Sequence, residues 1–221
     1  HVAVAVRLEV GLAVGVALMC LLGPAVGASP LAAVKAAPGI AVPLSAAPAG
    51  GDDLAASPSP RGGTPVTLMY EDFEGTFPPP GSAWSVFDNN GSTGGVVYWD
   101  DFYSEQDWAV HSGDFAAWEA QGGPDGGSAT VDEYSADMDS RMVYGPFDLS
   151  GYASAEFSFW FRGSSAAGDL MYWGASHDGS TFSWLGSAEG AFFDWSRPSI
   201  GLASYVGDAS VWVAIIFQSN G

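Results

Sequence analysis

The aromatic residues of this chain are confined to one part of it. All 9 Trp, 8 Tyr and 13 Phe lie in residues 65–221, and the preceding residues contain none. Each buried aromatic ring removes about 150–250 Å² from water, so this part can build a large core. The single cysteine, Cys20, lies outside it. The sequence therefore predicts one globular domain at 65–221 that folds without disulfide bonds.

Apolar side chains recur at every second position in several segments of this domain. Phe157, Phe159 and Phe161 share one face of the segment 155–162 and the residues between them take the other, which is typical of a half-buried strand. Residues 211–217 are apolar on both faces, which favours a central, covered strand. Further strands are predicted at 66–70, 84–88, 96–100, 107–110, 115–120, 141–144, 170–175 and 182–185.

Turn residues separate these segments. Asn90-Gly91 and Asp178-Gly179 tolerate positive φ, and the second pair, between two aromatic runs, indicates a hairpin loop. No long amphipathic helix interrupts the strands. The sequence thus predicts an all-β fold, with antiparallel strands packed in a two-sheet sandwich.

The first 64 residues have a different character. Arg7 precedes an apolar run that ends in the small residues Val26 and Ala28, so residues 1–28 are predicted to be a signal peptide cleaved before Ser29. A retained membrane anchor is the alternative. Residues 29–64 are rich in Ala, Pro, Gly and Ser, which predicts a flexible spacer. A secreted or cell-surface protein is expected, whose mature domain does not insert into the membrane.

The charge of the chain restricts its partners. The formal net charge is −19, and the only basic residues of the aromatic-rich domain are Arg141, Arg162 and Arg197. Nucleic acid and anionic membrane surfaces are therefore disfavoured as ligands.

Catalytic patterns are sparse. His1, His111 and His177 are isolated from one another, so no His-Glu-x-x-His zinc motif exists, and no Gly-x-Ser-x-Gly elbow is present. With so many acidic residues, the sequence leaves open whether two carboxylates lie at the separation that glycoside hydrolysis requires. We expect a domain without enzymatic activity, in which His111 has a structural role.

Aromatic residues next to acids indicate a platform for binding sugars. Tyr98 and Trp99 precede two aspartates, and Trp173 follows Tyr172 in another predicted strand. Rings can stack on pyranose faces while carboxylates accept hydrogen bonds from hydroxyl groups. The alternative is that these rings pack in the core. Tyr98, Trp99 and Trp173 are the candidate ligand-binding residues if they are exposed.

The segment 71–75, Glu-Asp-Phe-Glu-Gly, indicates a calcium site. Calcium prefers carboxylate and carbonyl oxygens, and Gly75 would allow the backbone to turn toward an ion. A solvated acidic edge is the alternative.

Five segments together resemble a known family. They are 70–78 with Trp84 after it, His-Ser-Gly at 111–113, Gly-Pro-Phe-Asp-Leu-Ser-Gly at 145–151, the strand 157–162, and the hairpin 176–180 followed by 211–217. In this order they resemble the MAM-like extracellular jelly rolls, known in bacterial surface proteins as the choice-of-anchor J domain. Such domains also occur beside the catalytic domain of immune inhibitor A-type metallopeptidases.

The resemblance implies a jelly-roll sandwich and a structural calcium ion. By resemblance Glu74 is the first candidate calcium ligand, with Asp72 and Asp114 weaker. Members of the family usually close with a further strand that carries an Asp pair, so the sandwich is expected to lack its last strand and to belong to a larger multidomain chain.

These observations predict a non-catalytic binding or adhesion module for extracellular carbohydrate or protein. One alternative is an accessory domain of a secreted metallopeptidase whose catalytic part lies outside this chain. The other is a purely structural spacer domain.

Overall fold

The computed structural model describes residues 11–13, 66–91, 93–105, 109–129 and 133–220. The predicted spacer at 29–64 lies outside the described residues. So does the predicted signal peptide at 1–28, apart from Gly11–Ala13. No helix in the described ranges is long and apolar enough to cross a membrane.

Twelve strands and one short 3-10 turn make up the regular structure of the described residues. The 3-10 turn is Ala203–Tyr205. The strands are β1 (Gly11–Ala13), β2 (Trp84–Asp88), β3 (Tyr98–Tyr103), β4 (Phe115–Gly122), β5 (Asp139–Phe147), β6 (Glu156–Ser158), β7 (Trp160–Ser164), β8 (Leu170–Ser176), β9 (Ser183–Glu189), β10 (Ala191–Ser196), β11 (Ser199–Gly201) and β12 (Val211–Gln218).

Two five-stranded sheets pack against each other in this part of the chain. The front sheet has the order β2-β5-β12-β8-β9, and the back sheet has the order β10-β7-β1-β4-β3. Strands β6 and β11 form a separate antiparallel pair. The predicted all-β, two-sheet sandwich is confirmed. All described pairs are antiparallel except the two made by β1.

The core lies between the sheets and is rich in aromatic rings. Phe159 packs edge-on against Trp173 of the front sheet, with ring centroids 5.4 Å apart. Trp99 of the back sheet is fully buried and donates its indole N–H to the Ser140 carbonyl of the front sheet at 3.2 Å. Burying a large apolar side chain contributes about 1.5–3 kcal/mol, so these contacts hold the sheets together.

Strand β12 occupies the centre of the front sheet, as its apolar sequence predicts. It pairs with β5 on one side and with β8 on the other. Val213, Ile215 and Phe217 point into the core, whereas Ala214 and Ile216 belong to a small cluster on the opposite face.

Some strand predictions were wrong. Residues 66–70 form no strand, although Met69 is buried. The predicted strand at 155–162 is divided at Phe159, because β6 pairs with β11 while β7 joins the back sheet. The prediction at 107–110 lies partly outside the described residues, and Ala109 and Val110 belong to no strand. Strands β10 and β11 were not predicted from the sequence, because Ser, Asp and Pro interrupt the alternation of apolar and polar residues there.

Glu119 of β4 is a buried acid in the back sheet. Its side chain is inaccessible to solvent, and neither carboxyl oxygen has a hydrogen-bond partner among the described residues. Burial raises the pKa of Glu119 to about 8. The folded protein therefore holds this carboxyl in its neutral form at pH 7.

We predict that stability falls as pH rises because of Glu119. Between its ordinary pKa near 4.5 and its folded value near 8, the folded state binds a proton that the unfolded state releases. The free energy of unfolding should then fall by up to about 1.4 kcal/mol per pH unit in this window. Urea titrations at pH 5, 6, 7 and 8 measure it. Glu119→Gln should flatten this dependence, while the exposed Glu133→Gln should not; equal slopes for the two variants would contradict the prediction.

Candidate functional site

The outer face of the front sheet carries aromatic side chains. On β12, Trp212 points away from the core because it alternates with Val211 and Val213. Tyr172 on β8 does the same between Met171 and Trp173. Together with Phe182 and Trp184 these residues form a group that we call the outer aromatic patch: Tyr172, Phe182, Trp184 and Trp212.

Three of the four rings of the patch are in contact, and Trp212 packs on the same small cluster beneath them. Phe182 and Trp184 are stacked at 5.9 Å between ring centroids with an interplanar angle of 16°. Tyr172 lies 5.7 Å from Trp184. Beneath them, Val143, Ala214 and Ile216 are almost completely buried, although they lie on the solvent side of the sheet. The patch is therefore a continuous apolar surface with its own small cluster below it.

Two glycines allow the rings to lie close to the backbone. A Cβ atom at Gly174 would lie 2.9 Å from the Trp184 ring and 2.4 Å from the Ser183 carbonyl oxygen. At Gly179, where φ is +73°, a Cβ atom would lie 2.8 Å from the Trp212 ring. Glycine is required at both positions because any side chain would lift a ring away from the sheet.

The loop between β8 and β9 fixes one end of the patch. The Asp178 carboxylate accepts hydrogen bonds from the backbone N–H groups of Ser180 at 2.8 Å and Thr181 at 2.7 Å. These bonds lower the pKa of Asp178. The hairpin predicted from Asp178-Gly179 is confirmed, and it brings Phe182 back onto the sheet surface.

A charged network borders the patch on the same face. Arg141 is the neighbour of Ile216 across the β5–β12 ladder, and Ile216 is the neighbour of Tyr172. The Arg141 guanidinium donates to both Asp139 oxygens at 2.8 and 2.9 Å. Asn89 and Gln218 donate to the same carboxylate at 3.1 Å.

These hydrogen bonds hold Asp139 in its charged form. Burial by itself raises the pKa of Asp139, but hydrogen bonds from Arg141 and Asn89 outweigh it and leave the pKa below its ordinary value. An aromatic surface thus lies beside fixed hydrogen-bonding groups, the combination found in small-ligand sites.

Two of the three predicted platform residues are in the core instead. Trp99 is fully buried, and Trp173 is 3% exposed and packs on Phe159 and Phe161. Neither ring can reach a sugar, so these two assignments are corrected. Tyr98 is partly exposed at the start of β3 and lies over Gly122. The structure does not bring Tyr98 together with the outer aromatic patch, which is on the other sheet.

The alternation of inward and outward side chains in β8 is the sequence feature from which the outer aromatic patch could have been predicted. Met171, Trp173 and Ala175 form the inward series, and Tyr172 belongs to the outward one. Trp184, by contrast, follows Ser183 in a strand with a register shift, so its direction depends on the tertiary structure.

The predicted calcium ligands lie at the N-terminal edge of the domain. Glu74 accepts hydrogen bonds from the backbone N–H groups of Asp114 at 2.9 Å and Phe115 at 3.0 Å. Asp72 accepts one from the Glu74 N–H at 3.2 Å. The structure therefore brings Glu74 to the turn that contains Asp114, with the Glu74 carboxylate joining the N-terminal segment to the start of β4.

Metal ligands do not otherwise converge here. In the described ranges, no three side chains of His, Cys, Asp or Glu form a group able to hold a metal ion. A calcium ion at this edge would need backbone carbonyls in addition to Glu74. The calcium site stays a prediction.

The two described histidines take part in ring packing. His111 stacks on Trp160 with ring centroids 4.1 Å apart and meets Trp195 edge-on at 5.3 Å. His177 stacks on Tyr205 at 4.4 Å, and its Nδ1 atom lies 2.6 Å from an Asp208 oxygen. These contacts are consistent with structural roles for both.

Comparison with known proteins gives a likeness of fold only. No protein-family model and no curated protein matches this sequence. Among solved structures, the K1 cleaved adhesin domain of Lys-gingipain from Porphyromonas gingivalis is similar, with a TM-score of 0.44 and 15% sequence identity. The match covers 68% of this chain and 97% of that one. So low a similarity does not extend to function, which must be inferred from the side chains of this chain.

We predict that Glu74→Ala destabilises the domain by about 1–3 kcal/mol, because two backbone N–H groups lose a charged acceptor. Chemical denaturation without calcium measures the loss. Glu105→Ala, at another exposed acid, serves as the control. Equal stabilities for the Glu74 and Glu105 variants would show that the contacts of Glu74 with the turn contribute nothing.

The calcium prediction has a separate test. Millimolar calcium should raise the melting temperature of the wild type, since a bound ion stabilises only the folded state, and Glu74→Ala should abolish that rise. Magnesium at the same concentration controls for general screening. A melting temperature that does not respond to calcium would count against the site.

Proposed function

We propose that this domain is a non-catalytic binding module of the cell exterior that recognises carbohydrate through the outer aromatic patch. The observation that carries the proposal is the stacked pair of Phe182 and Trp184, beside Tyr172, on the solvent side of the front sheet. Aromatic rings held flat on a sheet can stack against the C–H faces of sugar rings.

The exposure of the patch supports a ligand role. Trp184 is 38% exposed and Leu185 beside it is 40% exposed, even though the domain has a large aromatic core in which such residues could be buried. A contiguous apolar surface of this kind commonly marks an interaction site. The Asp139–Arg141 pair borders the patch and is held in place by its own hydrogen bonds.

The charge of the chain narrows the ligand class. With a net charge of −19, the domain repels sulfated or uronic-acid polymers at long range. The Arg141 guanidinium, which lies next to the patch, is already occupied by Asp139. We therefore propose a neutral glycan as the ligand.

The proposal includes the cellular location and the family of the domain. The N-terminal sequence supports export, and export places the patch where it meets extracellular glycans. The segments that resemble MAM-like, choice-of-anchor J domains support membership of that group. A metallopeptidase accessory role and a structural spacer role are the competing functions, and a spacer would bind no glycan.

We predict that the full chain binds neutral glycans on an array and that Trp184→Ala weakens this binding at least about tenfold, the equivalent of 1.4 kcal/mol of lost stacking. Tyr103→Ala is the matched control, because Tyr103 is 53% exposed on the opposite sheet. Calorimetry with the best array ligand gives the Kd values. Absence of any glycan ligand, or equal weakening by both variants, would refute the proposal.

A further inference from the structure

An exposed aromatic ring lies at the edge of the front sheet that is farthest from Trp184. Strand β2 forms this edge, and β9, which carries Trp184, forms the opposite one. Phe87 of β2 is 38% exposed, the same fraction as Trp184, whereas Trp84 of the same strand is buried in the core. An exposed apolar ring on an edge strand promotes association with other molecules. Phe87 is therefore a candidate contact residue outside the outer aromatic patch.

Strand pairing places Phe87 in line with the patch. One row of paired residues crosses all five strands of the sheet: Phe87, Arg141, Ile216, Tyr172 and Ser187. The neighbouring row contains Ser85, Val143, Ala214, Gly174 and Trp184. In β2, β5, β12 and β8 the two rows are two residues apart, so their side chains lie on the same, outer face. We call these ten positions the outer rows.

No uncompensated charge separates Phe87 from the patch. Arg141 is the one charged residue of the outer rows, and its guanidinium is bound to both oxygens of Asp139. The Arg141 side chain is only 18% exposed. Beyond Arg141, Ile216 and then Tyr172 continue the row. The surface between the two exposed rings is therefore neutral overall, in a chain whose net charge is −19.

The apolar surface is longer across the strands than along them. Neighbouring strands lie about 4.8 Å apart, so the four spacings from β2 to β9 cover about 19 Å. Along β12, the outer face extends from Ile216 to Trp212 over about 13 Å. Beyond Ile216, the next row is mostly polar: Asp139, Gln218, Leu170 and Glu189. A long ligand keeps its contact with the apolar surface only if it crosses the strands.

Resting on the proposed function, we propose that the ligand is a linear, neutral glycan that lies across the strands from Trp184 to Phe87, and that Phe87 selects long chains over short ones. One pyranose unit of an extended chain covers a distance similar to one strand spacing of about 4.8 Å. Tyr172 and Phe87 are three spacings apart, so about four units join them. A chain of two units reaches Tyr172 and Trp184 but not Phe87.

The charge of the domain disfavours a second copy of this chain on the outer rows. Two chains that each carry a net charge of −19 repel each other, and the repulsion acts at long range. A neutral glycan meets no such barrier. The polysaccharide is thus the occupant that the charge of this face fits best.

Calorimetry with oligosaccharides of increasing length tests the inference on the full chain. The probes are β-1,4-linked glucose oligomers and β-1,4-linked mannose oligomers of two to six units, which are neutral and extended. For wild type, Kd should fall at least about fivefold between the two-unit and the four-unit chain of the better-bound sugar. Phe87→Ala should remove this gain and leave the Kd of the two-unit chain unchanged, whereas Trp184→Ala should weaken binding at every length.

Two further substitutions at Phe87 separate the ring from apolar area in general. Phe87→Tyr keeps a ring that can stack on a sugar and should retain the preference for long chains. Phe87→Leu keeps an apolar side chain without a ring and should behave like Phe87→Ala. Tyr103→Ala, at an exposed ring of the other sheet, should leave the length dependence as in wild type. Urea titrations confirm that each variant is folded.

The outcomes distinguish this inference from the proposed function. Equal Kd values for short and long chains in wild type, or an unchanged length dependence in Phe87→Ala, would overturn the assignment of Phe87 and leave glycan binding by the patch intact. Failure of both oligomer sets, when a short or branched neutral glycan binds on the array, would do the same. Absence of any glycan ligand would refute both proposals. Self-association that Phe87→Ala abolishes, without bound oligosaccharide, would show that a second copy covers this face and would also overturn both.

Discussion

The double pairing of β12 is the constraint on which the front sheet depends. Its backbone is bonded to β5 on one side and to β8 on the other, through residues as far as Gln218. Pairing on both sides fixes the register, because a shift by one residue would move Val213, Ile215 and Phe217 from the core to the solvent side. The inward rings of β8, above all Trp173, then meet Phe159 from the opposite sheet.

The outer aromatic patch follows from the same register. Because side chains alternate along β8, Trp173 points into the core and Tyr172 points to solvent. The neighbouring strands place Ile216 next to Tyr172 and Arg141 next to Ile216. Small residues complete the arrangement, since Gly174 and Gly179 leave room for rings to lie on the backbone. The surface proposed to bind glycan is thus the other face of the ladder that builds the core.

The back sheet is organised differently. Its strands β4 and β7 point the same way, and the described residues Gly11–Ala13 of β1 lie between them. Glu119 lies in β4 two residues beyond Ala117, buried and without a hydrogen-bond partner among the described residues. An unpartnered buried carboxyl costs stability unless it stays neutral, so the stability of this sheet depends on the protonation of Glu119.

The sequence by itself determined the all-β class, the central position of β12 and the hairpin at Asp178-Gly179, because side-chain period and turn chemistry are local properties. It also placed Tyr172 and Trp173 on opposite faces of one strand, but the prediction assigned the buried Trp99 and Trp173 to a ligand surface. Only the tertiary structure decided that Trp184 meets both Tyr172 and Phe182, and that Gly11–Ala13 lies between β4 and β7. Such contacts join residues far apart in the chain, and they depend on how the strands are ordered and registered in the sheets, which local patterns do not specify.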